Sequence, residues 1–120
     1  MEDNRAEQKE ALETLMEFNG RLVKNMNIVQ KELSGARLDD TNAFLEDIIK
    51  AMNWEIQVMN GTMDLLNEDG EHINKEEFNA KLLKLTDAIN AKNDSAMAEA
   101  FKEVIPLFEK LGARASEVIA

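Results

Sequence analysis

Between Asp39 and Glu71 the apolar residues fall into two seams at helical spacing, and no other feature of the chain narrows its fold as much. One seam runs through Leu45, Ile49, Met52, Ile56, Met59, Met63 and Leu66. The other runs through Phe44, Ile48, Ala51, Trp54, Val58, Gly61 and Leu65. Steps of three and four keep each seam on one side of an α-helix. A helix at the edge of a bundle needs one apolar stripe toward its core, so a second stripe implies a second contact. The same stretch carries nine acids and one base, Lys50, in a chain of net charge −10, together with the only Trp. The acids keep the remaining face soluble and suit a basic partner segment.

The rest of the chain repeats the helical period. A first helix is expected over 4–33, with Leu12, Leu15, Leu22, Met26, Val29 and Leu33 as its seam. Glu7, Glu10 and Glu13 favour the positive end of its dipole. Asn19-Gly20 reads as a weak point or a bend, and Gly35 as a left-handed stop. A second helix spans 41–68, behind Asp39-Asp40-Thr41, whose oxygens can accept from free first-turn amides. A third covers 75–92, where Asn74 and Glu77 make a capping-box pair and Ile73 staples to Phe78. A fourth covers 94–119, capped by Asp94-Ser95, with Met97, Phe101, Val104, Ile105, Phe108 and Leu111 as its seam. Pro106 lacks an amide donor and crowds the Lys102 carbonyl, which predicts a kink. Gly112 either ends this helix or lies within a run continued by Val118 and Ile119. Short links force neighbouring helices antiparallel. The expected fold is all-α: a single domain over 1–120, an up-down-up-down four-helix bundle with long first and second helices. The first two helices would each be about 40 Å long and the third about 27 Å. That overhang leaves apolar surface in need of a cover.

Composition removes several function classes. A chain of 120 residues with 44% hydrophobic content is one folded domain rather than a disordered acidic tail. Without Cys it has no disulfide, thiolate nucleophile or Cys-ligated metal, which suits a cytoplasmic setting. The charged run Met1–Arg5 predicts no secretory signal, and no apolar run reaches the roughly 18–20 residues of a membrane span. Net negative charge disfavours nucleic acid and membrane partners. The one His, His72, has no Glu three residues before it, so a di-metal carboxylate bundle fails; it reads as a solvated loop residue. With Gly70 at the sixth position of a calcium loop, Asn67, Asp69 and Glu76 fall correctly, but Leu65 takes the first position and cannot ligate. The pairs Asp39-Asp40 and Glu76-Glu77 are explained by capping. No metal, no cofactor and no enzymatic activity are expected.

Several short segments resemble known proteins. Ala91-Lys92-Asn93-Asp94 through Met97-Ala98-Glu99, then Val104-Ile105-Pro106-Leu107-Phe108-Glu109, resembles the C-terminal signature of a bacterial helical family of unknown function. Ile48-Ile49-Lys50-Ala51-Met52-Asn53-Trp54 is similar to that family's central Trp-bearing helix. Asn93-Asp94 at a helix junction, in a small acidic helical chain, is similar to flagellin export chaperones, which implies docking of a client's amphipathic helix in an apolar surface groove. Asp94-Ser95 resembles the carrier motif of acyl carrier proteins, but Ala96 stands where that motif has Leu, and Ser95 reads as a helix cap.

What remains is a surface. Its candidate residues are Phe44, Ile48, Ala51, Trp54, Val58 and Leu65, with Trp54 either core or interface. The first expectation is a bacterial protein-interaction module that self-associates, as a homodimer, through the second helix. The second is an export-chaperone-like adaptor for an amphipathic helix. The third, a small-molecule carrier or enzyme with a bundle cavity, requires buried polar groups on seams that read as almost wholly apolar.

Overall fold

The computed structural model of the chain describes residues 5–120. Its regular elements are α1 (Arg5–Leu33), α2 (Thr41–Gly61), α3 (Met63–Leu66), α4 (Lys75–Asn90) and α5 (Asp94–Ile119). The class is all-α, with five helices in place of the expected four; the expected start at Asn4 lies outside the described residues.

α5 is the central element. It buries eleven residues, against seven on α1, six on α2 and three on α4. That width follows from its two long neighbours, because both α1 and α4 pack along it. α2 leans on α1 and makes no comparable approach to α4 or α5. The assembly is elongated, 51 × 24 × 20 Å.

α1 buries Leu12, Leu15, Asn19, Leu22, Met26, Val29 and Leu33 in alternating steps of three and four. The expected weak point at Asn19-Gly20 does not interrupt it. Asn19 occupies a place on the buried stripe instead and finds its own partners there. Gly35, at φ 122°, closes the helix, with the Ala36 amide donating to the Glu32 carbonyl at 3.0 Å.

The expected second helix over 41–68 is corrected to two pieces. Thr62 is buried at φ −126°, and its hydroxyl donates to the Val58 carbonyl at 2.7 Å. A Thr hydroxyl that bonds back to the preceding turn competes with the helical ladder. Thr14 and Thr86 make the same bond without ending α1 or α4, so at Thr62 it accompanies the break rather than causing it. α2 stops at Gly61, about 31 Å long rather than 40 Å, and α3 follows as a single turn. Beyond it, Asn67 organises the next turn: its Oδ1 accepts from the His72 and Ile73 amides at 3.0 and 2.9 Å, and its Nδ2 donates to the Ile73 carbonyl at 2.9 Å. Gly70 supplies the positive φ of 138°. Arg114 Nε donates to the Leu66 carbonyl at 2.7 Å, fastening the end of α3 to α5. His72 lies in the loop after α3 with its side chain exposed, as expected, and with Nε2 2.8 Å from Asp69 Oδ1.

The caps divide. Asn74 accepts from the Glu77 amide at 2.9 Å, and Ile73 and Phe78 are both buried, as a capped and stapled helix start requires. Asp40 makes no side-chain cap; Thr41 does the local work, accepting from the Leu38 amide at 2.8 Å and donating to Glu32 at 2.7 Å. α4 stops at Asn90 rather than at 92. Lys92 turns through φ 53°, and Asn93, not Asp94 or Ser95, caps α5 by accepting from the Ala96 amide at 3.0 Å. Asp94 is thereby free to take a bidentate pair from Arg37 at 2.8 and 2.9 Å. α5 then runs unbroken through Pro106, on its exposed face, and through Gly112 to Ile119.

At Gly112 the backbone of α5 lies directly against the Asn19 side chain of α1. A Cβ built there would stand 2.1 Å from Asn19 Oδ1 and 2.6 Å from its Cγ. Asn19 cannot swing aside without breaking two hydrogen bonds described below. Gly20 faces open space. We therefore expect Gly112→Ala to destabilise the fold by about 1–3 kcal/mol, as overpacking does. Gly20→Ala should stabilise it by about 0.5–1 kcal/mol, since Ala is the better helix former. Urea midpoints of the two variants should move in opposite directions; a shift of the same sign in both contradicts the assignment.

Candidate functional site

α1 and α2 run antiparallel, as their side-chain partners show: Glu32 with Thr41 near one end, Asn19 with Glu55 in the middle. Two open troughs lie along this pair. The first, about 380 Å³, is lined by Phe18, Arg21, Leu22 and Asn25 of α1 and by Phe44, Asp47, Ile48, Ala51, Trp54 and Glu55 of α2. The second, also about 380 Å³, is lined by Glu7, Gln8 and Ala11 of α1 and by Trp54, Gln57, Val58, Gly61 and Thr62. Trp54 lines both. Its ring meets Phe18 edge to face at 6.1 Å, and the Arg21 guanidinium sits 6.0 Å above the Phe18 ring. Phe18 is 44% exposed and Trp54 37%, so two aromatic rings stand at the rim.

Of the residues expected on this surface, Phe44, Ala51 and Trp54 line the first trough, and Ile48 forms part of its buried base. Val58 lines the second. Leu65 does not belong: it is 3% exposed on α3, beyond the break at Thr62, and faces the core. The other seam divides too. Leu45, Met52, Met59 and Leu66 are buried, while Ile49, Ile56 and Met63 are only partly so.

Sequence reasoning missed the α1 side of the groove, Phe18 and Arg21, because single residues off a seam carry no periodic signal. It also missed the polar centre beneath. The buried stripe of α2 is Thr41, Leu45, Ile48, Met52, Glu55 and Met59. Glu55 stands three residues after Met52 and four before Met59, a position where the helical period demands burial, and that spacing is the signal that would have found it. Of the nine acids between Asp39 and Glu71, the other eight are exposed. Glu55 is 1% exposed. Its Oε1 accepts from Asn19 Nδ2 at 2.9 Å, and the same nitrogen donates to the Phe108 carbonyl at 3.0 Å. Glu55 Oε2 has no partner. Burial pushes this carboxyl up to about 7, and the Asn19 hydrogen bond only partly opposes the shift. The buried stripe of α2 thus carries a carboxyl that neither apolar seam included.

A family model for a domain of unknown function, DUF8042, matches residues 10–114. The chain belongs to that family. The matched region takes in Asn19, Trp54, Glu55 and Gly112, so both the groove's aromatic rim and its polar base are parts of the DUF8042 domain. No curated protein and no solved structure matches the chain. Among the described residues no helix is long and apolar enough to cross a membrane, and no group of three or more acidic or His side chains is placed to hold a metal ion.

The raised Glu55 carboxyl fixes a pH dependence. Its folded value lies above the ordinary 4.5, so the folded state holds a proton that the unfolded chain releases. Its contribution to stability is full below about pH 4.5, falls as pH rises, and is lost above about 7, a change of roughly 3 kcal/mol. Glu68, Asp69, Asp94 and Glu103 are shifted the other way by their cationic or His partners, but Glu55→Gln leaves those pairs unchanged. We expect Glu55→Gln to exceed the unsubstituted chain in urea midpoint at pH 8 and to lose that advantage at pH 5. An equal difference at both pH values contradicts a buried, proton-holding Glu55.

Proposed function

We propose that this chain is a non-enzymatic protein-interaction module that docks an amphipathic helix of a partner along the α1–α2 groove. The observation that carries this reading is an open apolar trough under two exposed aromatic rings, Phe18 and Trp54. Its two halves follow α2 from Phe44 to Gly61, about 26 Å at the helical rise and so about five turns of a docked helix. That length suits a segment of chain better than a small ligand. Helix-in-groove recognition uses apolar anchors at i, i+3, i+4 and i+7, and Trp is enriched among residues that dominate interface energies. In this reading the four long helices form an up-down-up-down bundle left open between α2 and α4, and the protein works in the cytoplasm of a bacterium in the manner of an export-chaperone-like adaptor.

Self-association through α2 is the second reading, favoured by a different cleft. Ile49, Met52 and Ile56 of α2 face Leu82, Leu85 and Ile89 of α4 across about 230 Å³, and neighbouring Leu83 is 61% exposed. A second copy of the chain covers those side chains in this arrangement.

Photo-crosslinking residues introduced in cells at Ala51, Leu83 and Glu109 separate the two readings. Docking gives an adduct with another protein at Ala51 and little at Glu109, an exposed site on α5. Self-association gives an adduct of twice the chain mass at Leu83. Equal yields at Ala51 and Glu109, or none at Ala51, reject the docking reading. Trp54→Ala should abolish the Ala51 adduct while leaving helicity by circular dichroism unchanged.

A further inference from the structure

We propose that the docked helix carries a lysine or arginine for Glu55 and, about three turns away on the same face, a hydrogen-bond donor for Gln8. This inference rests on the docking reading and names the chemistry of the partner. Among the described residues two buried side-chain oxygens have no hydrogen-bond partner, Glu55 Oε2 and Gln8 Oε1. Glu55 lines one half of the α1–α2 groove and Gln8 the other. Gln8 Oε1 is an acceptor at any pH, and Glu55 Oε2 becomes one once its carboxyl is ionised. A buried acceptor left unpaired is costly, and the cost is recovered when a donor arrives.

Their spacing is helical. Glu55 lies level with Asn19, its partner on α1, and Asn19 is eleven residues beyond Gln8 on the same helix. Eleven residues span about 16 Å and roughly three full turns, so two side chains eleven apart on a helix laid along α1 point the same way. The donor for Glu55 is a cation because its acceptor is a carboxyl group with one oxygen already bonded. The other charged side chains lining the two troughs are Glu7 and Arg21 of α1 and Asp47 of α2. The facing group of α5 is the Phe108 carbonyl, which already accepts from Asn19. Acids outnumber the single arginine, and Arg21 is stacked on Phe18. The whole chain, at net charge −10, attracts the same basic segment. Because the cation pairs with the ionised form of Glu55, docking releases the proton that Glu55 holds below about pH 7.

A display library of 18-residue amphipathic helices, with the apolar face open to substitution, selected on the full chain, tests this. Recovered helices should carry Lys or Arg at one apolar-face position and a donor side chain eleven residues away. They should bind more tightly at pH 8 than at pH 6. Glu55→Gln should weaken each at least about tenfold, the loss expected for a charged hydrogen bond, while Trp54 emission still responds to docking. Gln8→Leu should remove the selection for the second donor and keep that for the cation. Helices that lack the cation, or that ignore Glu55→Gln, overturn this inference and leave the docking reading standing. Recovery of no helix that shifts Trp54 emission overturns both.

Discussion

Both N–H bonds of the Asn19 amide are committed, one to Glu55 on α2 and one to the Phe108 carbonyl on α5. Three helices therefore meet at a single side chain. The meeting is possible because Gly112 gives up its side-chain volume to the Asn19 carboxamide. Apolar side chains would hold these helices together in several registers, since hydrophobic packing is non-directional. A polar group that finds its partners in only one alignment selects among those registers, as a buried Asn does in a coiled coil. Around this point the apolar cores of α1 and α5 pack on either side: Leu12 and Leu15 before it on α1, Leu22 and Met26 after it.

Much of the fold was legible in the sequence because the helical period is strong and the stops are chemical. The end of α1 at Leu33 and the start of α4 after Asn74 follow from seams and caps that depend on neighbours only a few residues away. The Thr62 break was not legible. A Thr that bonds back to its preceding turn can sit inside a continuous helix, as Thr14 and Thr86 do, so residue type at position 62 does not announce a break. The cap of α5 moved by one or two residues because Asp94 has a better partner in Arg37, which lies 57 positions away in sequence. Local reading has no access to such a pair.

The groove shows the same division. Phe44, Ala51, Trp54 and Val58 were found because they share a face of one helix. Phe18 and Arg21 come from the other wall, and only the tertiary arrangement brings them opposite. Glu55 was counted among the soluble acids because it is charged in water, although its position on the stripe required it to be inside. A buried carboxyl offers poor support to a fold that could have used Leu or Met there. Its presence, beside an aromatic rim and with one oxygen unused, links the architecture of the core to the chemistry of the surface above it.

α2 has an unusual mechanical situation. Its first residue is tied to α1 through Thr41 and Glu32, and the turn that follows it is tied to α5 through Arg114 and the Leu66 carbonyl. Between those anchors its closest backbone neighbour is α1. A beam clamped at both ends can bow but cannot slide. The groove along it can thus change width without changing register, and segments of different bulk would be met by the same side chains in the same order.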